Sequence, residues 1–318
     1  MDVVILSARS GWHTDELCRA LAERGGSGRV VPYESLVARL GVRTGLSATA
    51  MPDRAAASPP FAVFDADAVL PRIIPDGSLE QIIFRVDALH WIEDRGIPVV
   101  NAARAIERCV DKFYTSALLQ EAGLPTPETV VCERAADAMP VIRGMLREGD
   151  DAVIKPLFGS MGHGLVRVSD PELAWRVVRP LEQMRAVFYV QRAVDHGGRD
   201  LRVFVVGGRV LGAIERQAPP GDWRTNVARG GSARAIDVPE AWARLAVRAA
   251  AVVGADYAGV DLLPSSDGSV FVLEVNGIPG WQGLQEATGI DVAGAIVDHL
   301  ITRIAVRHAG AGVTGTPA

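Results

Sequence analysis

Val260-Asp261-Leu262-Leu263-Pro264-Ser265-Ser266-Asp267-Gly268-Ser269-Val270-Phe271-Val272-Leu273-Glu274-Val275-Asn276 decides the reading of this chain. Two short apolar runs flank Asp267-Gly268, a dipeptide whose residues both tolerate positive φ and which marks a two-residue hairpin turn. Counting outward from that turn sets Leu263 opposite Val272, Leu262 opposite Leu273 and Asp261 opposite Glu274. Opposed residues share a face of the sheet with Cβ atoms about 5 Å apart, so two carboxylates placed this way repel unless something positive lies between them. Asn276, two residues beyond Glu274, belongs to the same face, and Val260, Leu262, Leu273 and Val275 are assigned to the other. Three oxygen donors on one rigid face suit a hard divalent cation such as Mg²⁺. A solvated polar face carrying a charge pair has the same pattern.

The chain has 318 residues, enough for two or three domains at about 100 to 200 residues each. Its 48% hydrophobic and 22% charged residues are those of a globular protein, and no apolar run approaches the roughly 18 residues of a membrane span. Neither a membrane nor, with a net charge of −5 and no basic block, a nucleic acid is an expected partner. The N-terminus carries Asp2 where a secretory signal has a basic region. Cys18, Cys109 and Cys132 lack C-x-x-C spacing, which disfavours a disulfide framework or a zinc site and points to a reducing cytoplasm.

Of the 33 lysines and arginines only two, Lys112 and Lys155, are lysine. Lysine offers a compact charge with three rotatable donors that fits among phosphate oxygens, which arginine does not. Lys155 ends the run Ala152 to Lys155, and Gly159-Ser160-Met161-Gly162-His163-Gly164 follows before the next apolar run, Leu165 to Val168. The glycine-rich loop thus joins two strands, which excludes a P-loop and a Rossmann turn, both of which enter a helix. A flap whose backbone N–H groups approach phosphate oxygens is compatible with it; so is an ordinary surface hairpin.

Residues 1–100 alternate strand and helix: Val3 to Leu6, a helix from Asp15 to Arg24, Val30 to Tyr33, a short helix from Glu34 to Leu40, Phe61 to Leu70, a helix from Leu79 to Arg95, and Ile97 to Val100. Arg43 to Pro60 reads as a loop. His13 and Arg72, in loops, could meet an anionic ligand or simply be solvated. A helix from Ala102 to Ala122 contains Lys112, and a strand from Thr129 to Cys132 and a helix from Ala135 to Arg147 follow. Beyond residue 188 strands dominate: Val187 to Gln191, Leu201 to Val206, Arg209 to Ile214, a polar loop to Ala235, a helix from Pro239 to Val253, the opening hairpin, and a closing helix from Asp291 to Ala305. Arg202, Arg216 and Arg224 lie on or after strands that could converge on an anion.

Lys112, Lys155-Pro156-Leu157-Phe158-Gly159, the flap to Gly164, Asp200-Leu201-Arg202, Glu215-Arg216, Arg224-Thr225-Asn226, Arg229-Gly230-Gly231, Val260-Asp261 and Glu274-Val275-Asn276 occur in the order and context of ATP-grasp ligases. More narrowly, the chain resembles the RimK-like α-L-glutamate ligases over residues 68–304, including Thr288 to Gly294. The resemblance implies an ATP-grasp fold, two α+β subdomains clasping ATP, preceded by a Rossmann-like α/β domain. The expected units are 1–100, 101–188 and 189–306, with a disordered tail at 307–318.

It implies that Lys112 and Lys155 hold ATP phosphates beneath the flap of Gly159, Ser160, Met161, Gly162, His163 and Gly164. Gln191, Arg192, Ala193 and Val194 become the hinge that recognises adenine, and Asp200 lies near the ribose. Asp261, Glu274 and Asn276 hold one or two Mg²⁺, with Mn²⁺ as an alternative. Arg224 and Asn226 face the nucleotide and the activated carboxylate, with Arg202 and Arg216 as helpers. Arg192-Ala193 departs from the acidic-aromatic pair frequent in relatives. The implied reaction activates a carboxylate as an acyl phosphate, which an amine displaces. The expected amine is an amino acid, L-glutamate or another. The acceptor carboxylate is a protein C-terminus, a carrier protein or a small cofactor with a pterin, furan or deazaflavin tail. Acceptor choice is expected to lie with the N-terminal domain and the Gly280-Trp281-Gln282 loop. A non-catalytic ATP-binding regulatory module is the alternative of a different class, and homo-oligomerisation is left open.

Overall fold

The computed structural model describes residues 1–41, 44–51, 59–159, 164–225 and 231–311. The N-terminal third contains β1 (Asp2–Leu6), α1 (Trp12–Glu23), β2 (Ser27–Val31), β3 (Val37–Arg39), β4 (Gly45–Ala48), β5 (Phe61–Ala62), β6 (Ala68–Pro71) and α2 (Leu79–Asp94). Strands β2, β1 and β6 form a parallel sheet in that order, extended by a bridge from Val69 to Val99. The unbroken apolar run of β1 is what a parallel strand covered on both faces requires. Val3 and Ile5 enter one core with Leu17 and Leu21 of α1, whereas Val4 and Leu6 enter another with Leu89 and Ile92 of α2.

The middle of the chain contains α3 (Ala103–Val110), α4 (Lys112–Glu121), β7 (Thr129–Cys132), α5 (Ala135–Arg147), β8 (Ala152–Lys155), β9 (Val166–Val168), α6 (Pro171–Gln183) and β10 (Phe188–Arg192). Its antiparallel sheet runs β7-β10-β8-β9, with α5 and α6 packed on one face through Ala138, Ile142, Ala174 and Val178. The last part contains β11 (Arg199–Val206), β12 (Arg209–Gln217), β13 (Ser232–Ala235), α7 (Glu240–Val253), β14 (Tyr257–Pro264), β15 (Val270–Asn276), α8 (Gln282–Thr288) and α9 (Val292–Ala311). Its sheet runs β13-β12-β11-β14-β15, all antiparallel. Alternation along β11 sends Leu201, Val203 and Val205 into a core with α7. Phe204 lies on the other face and joins the N-terminal sheet, α9 and Trp281 in one shared core.

Several local expectations are corrected. The helix expected over Ala102 to Ala122 breaks at Asp111, whose backbone is extended (φ −92°, ψ 102°) and whose carboxylate caps α4 by accepting the Tyr114 N–H at 3.0 Å. Lys112 is thereby the first residue of a new helix. The helix expected from Glu34 to Leu40 is a single 3-10 turn at Tyr33–Ser35 followed by β3, and β4 occupies part of the expected 43–60 loop. Phe61 to Leu70 divides into β5 and β6 around a turn at Val63–Asp65. Residues 232–235, expected in a loop, pair with β12 as an edge strand. Helix α6 was not anticipated, although Asp170-Pro171 is a strong start: the Asp170 carboxylate accepts the N–H groups of Glu172 and Leu173, and proline occupies the first turn. The closing helix runs to Ala311, so the expected tail begins as helix.

The hairpin is corrected in a way that preserves its main consequence. Ser265 N–H donates to Ser269 O at 2.8 Å, so the loop is Ser266-Asp267-Gly268, three residues with Gly268 in the left-handed region (φ +87°). Leu262 therefore faces Val272, not Leu273, and Leu263 faces Phe271. A register shift between Asp261 and Leu262 makes Leu273 the extra residue of a bulge and restores Asp261 opposite Glu274. Val272 accordingly replaces Leu273 in the core beside Val260, Leu262 and Val275.

Candidate active site

Between the four-stranded and five-stranded sheets lies an open cleft. Its lining includes Lys112, Lys155, Gly159, Gln191, Arg192, Ala193, Val194, Asp200, Arg216, Arg224, Asp261 and Glu274, all proposed from sequence. Gly164, Arg202 and Asn276 are described but do not line it. Ser160, Met161, Gly162, His163 and Asn226 lie outside the described residues. Sequence reasoning missed the apolar walls Val153, Leu165, Leu263 and Leu273, together with Trp223 and Thr225. Period-two alternation from Lys155 and Asp261 would have found Val153 and Leu263. Leu273 reaches the cleft only because of the bulge.

The floor of the cleft is a row of alternating charges. Cross-strand register sets Arg216 against Asp200, Arg202 against Asp261, and Asp261 against Glu274. Arg202 grips Asp261 with both arms, Nε to Oδ1 at 2.6 Å and Nη2 to Oδ2 at 2.7 Å, and its Nη2 is 3.7 Å from Glu274. Arg216 grips Asp200 at 2.7 and 2.6 Å and reaches Asp261 Oδ2 at 2.8 Å. The positive group between the opposed carboxylates is thus Arg202 in this structure. Burial opposes ionisation of Asp261, but the two guanidiniums outweigh it and hold the carboxyl well below the usual carboxylate range. Burial, and then the Asp261 charge, push Glu274 the other way, although its side chain keeps 45% of its surface exposed at the cleft.

These contacts narrow several assignments. Asp200 is buried, and its carboxylate accepts from Arg216 and from the Thr225 hydroxyl (2.6 Å), so its side chain braces the sheet. Arg202 and Arg216 hold Asp261 in place. Arg224 is chelated by Asp222, at 2.9 Å to Oδ1 and 2.8 Å to Oδ2. The Asn276 Oδ1 accepts the Ile278 N–H at 3.0 Å, an Asx turn at the strand end.

On the facing wall, Lys155 Nζ donates to Gln191 Oε1 at 2.6 Å. Gln191 in turn donates to Thr129 Oγ1 at 2.9 Å and to Tyr189 Oη at 3.3 Å. The Gln191 side chain, expected only as hinge, therefore aims the lysine. Burial lowers Lys155 to about 8, with Glu274 across the cleft opposing the shift. Lys112 is lowered for the same reason, and its Nζ donates to Gly159 O at 2.8 Å. The Arg192 side chain points to Glu128 (2.8 Å), Glu148 (2.8 Å) and Asp150 (2.5 Å), tying the end of β10 to the starts of β7 and β8.

Two sheets closing on a cleft with lysines on one wall and carboxylates on the other form the clasp of an ATP-grasp protein, and solved structures agree. The ATP-grasp ligase PsnB, complexed with minimal precursor, Mg and ADP, superposes with TM-score 0.69 at 22% identity over 95% of this chain and 98% of that one. A RimK domain ATP-grasp protein from Sphaerobacter thermophilus DSM 20745 gives 0.67 at 24% identity over 95% and 100%. The family model for the RimK-like ATP-grasp domain matches residues 109–300. A probable alpha-L-glutamate ligase 2 from Hahella chejuensis is 34% identical over 303 residues, 95% of each chain. A tetrahydromethanopterin:alpha-L-glutamate ligase from Methanosarcina acetivorans is 35% identical over 263 residues, 74% of this chain and 80% of that protein. The chain belongs to the RimK-like ATP-grasp family.

Proposed function

We propose that this chain uses ATP to join the amino group of L-glutamate to the carboxylate of an acceptor, with release of ADP and phosphate. Family membership makes it an ATP-dependent, amide-forming ligase. The observation that carries the reading is the opposition across one cleft of Lys112 and Lys155 to Asp261 and Glu274. The names of the two relatives support glutamate as the amino acid.

Two opposed carboxylates facing a lysine-lined cleft suit Mg²⁺, which binds through one or two carboxylates and leaves its other positions to phosphate and water. Asp261 and Glu274, with Asn276 as a third oxygen, would hold one or two Mg²⁺ or Mn²⁺ ions. A Mg²⁺ ion held there would supply positive charge to offset that of the bound phosphates.

Lys155 and Lys112 would bind phosphate oxygens, with the flap from Gly159 to Gly164 above them. The apolar walls Val153, Leu263 and Leu273 would take the base, next to the backbone of Gln191 to Val194. Arg224 and Asn226 would face the reacting carboxylate, where a guanidinium stabilises the tetrahedral oxyanion formed as the amine displaces phosphate from the acyl phosphate. The parallel sheet with helices on both faces supports a Rossmann-like unit at 1–100, clasped to ATP-grasp subdomains at 101–188 and 189–306. The test is ADP release with a panel of amino acids and carboxylate acceptors, with products weighed by mass spectrometry. ADP release that depends on L-glutamate, with a product heavier by one glutamate residue, is expected. ADP release stimulated only by a different amino acid would overturn the glutamate assignment.

A further inference from the structure

Arg72 is a buried cation that no described carboxylate balances. It follows β6, is 3% exposed, and has its guanidinium 4.5 Å from the ring centroid of Trp281. Its Nη2 donates to Pro279 O at 3.1 Å, whereas Nη1 has no partner. Trp281 is 1% exposed, and its Nε1–H is also unpartnered. Two of the four buried side-chain nitrogen and oxygen atoms without a partner among the described residues, Arg72 Nη1 and Trp281 Nε1, therefore belong to this stacked pair. Buried donors and charges are normally matched, and a desolvated guanidinium with a free arm is costly until a counter-charge arrives.

His13 does not provide compensation. Its Nε2 accepts the Trp281 backbone N–H at 3.2 Å and its ring meets the indole edge-on at 4.6 Å. Burial and the neighbouring Arg72 charge lower its pKa to about 4, so it is neutral at pH 7.

The position is one where ligands are expected. Strands β1 and β6 run parallel and end here, with Leu6 opposite Pro71 and the Arg72 N–H donating to Leu6 O at 2.6 Å. The carboxyl edge of parallel strands is where open α/β sheets take ligands. Pro279 follows Asn276 by three residues, so at most about 11 Å of chain separates the Arg72 contact from the end of the strand carrying Glu274.

We propose that Arg72 and the indole N–H of Trp281 form the subsite for a non-reacting carboxylate of one of the two organic substrates. One positive charge and two donors match one planar carboxylate with two oxygens. The subsite rests on the ligase reading, since both the amino acid and the acceptor carry carboxylates.

The test is isothermal titration of the full chain, with Mg²⁺ and a non-hydrolysable ATP analogue present, using L-glutamate and, separately, succinate as a stand-in for an acceptor. Arg72→Met is expected to weaken at least one probe by roughly 10-fold or more. Trp281→Phe, which keeps the stacked ring but deletes the N–H, should weaken the same probe by about 3-fold. Nucleotide affinity should stay within about twofold in both, because neither residue lines the nucleotide cleft. Loss confined to L-glutamate assigns the amino-acid carboxylate, and loss confined to succinate assigns the acceptor. Equal carboxylate binding by wild type and both variants, or none by wild type, overturns the subsite. Failure of wild type to bind the nucleotide analogue counts against the ligase reading instead.

Discussion

Arg202 and Asp261 face each other across β11 and β14, and the guanidinium holds both carboxylate oxygens at 2.6 and 2.7 Å. Asp261 is thus both a structural counter-charge and a proposed metal ligand, whereas Glu274, its other cross-strand neighbour, meets the Arg202 guanidinium only at 3.7 Å. The two carboxylates should separate experimentally. Glu274→Gln is expected to lower ADP release by at least ~100-fold if a metal is held there, with little loss of thermal stability because the charge removed is one that Asp261 repels. Asp261→Asn should lose activity and about 3 kcal/mol of stability, since the half-buried Arg202 loses its bidentate partner and the buried Arg216 keeps only Asp200. Near-wild-type turnover by Glu274→Gln would refute the metal role.

The depressed pKa of Asp261 also sets an acid limit. A carboxyl whose folded pKa lies below its unfolded value stabilises the fold fully above the ordinary range near 3.9 and loses that contribution as pH falls through the folded value. Denaturant melts of wild type and Asp261→Asn should therefore converge only below about pH 4. A stability difference between them that shrinks above pH 5 would contradict this.

Lys155 predicts the opposite edge. With a folded pKa of about 8 against an ordinary 10.5, the unfolded chain binds this proton more tightly, so the native state gains stability as pH climbs between these values. Relative to Lys155→Met, wild type should gain about 1–3 kcal/mol between pH 8 and 10. Over the same interval wild type should lose nucleotide affinity, because a neutral amine no longer attracts phosphate. Parallel stability profiles for the two proteins would refute the buried, destabilised cation.

Arg192 carries the departure from the hinge pattern of relatives, and its side chain is spent on Glu128, Glu148 and Asp150. It should therefore brace the hinge without reading the base. Arg192→Ala is expected to cost about 1 kcal/mol of stability, as three acids are left facing one another at a partly exposed site. The preference for ATP over GTP should not change; altered base selectivity in a competition assay would show that the side chain reaches the nucleotide.

Gly268 tests the corrected turn. At φ +87° a Cβ is strained although nothing lies within 4 Å of its position. Gly268→Ala should cost about 1 kcal/mol in a denaturant melt and leave ADP release unchanged.

Sequence alone determined the features written in local period and spacing. Two apolar runs about one turn made Asp261 and Glu274 neighbours, and that survived although the turn is one residue longer than expected, because the Leu273 bulge restores the register. The rarity of lysine singled out Lys112 and Lys155, and both line the cleft. The start of α6 at Asp170-Pro171 is equally local, a capping carboxylate followed by proline. Tertiary structure decided which charges meet. Arg202 and Asp261 are 59 residues apart, Lys155 and Gln191 are 36, and Arg72 and Pro279 are 207. Alternation tells a side chain which face it occupies, but its partner on that face is set by strand order and sheet packing, which bring together segments that local sequence leaves unrelated. For that reason neither the ion pair of Asp200 with Arg216 nor the burial of Arg72 against Trp281 was written in local sequence.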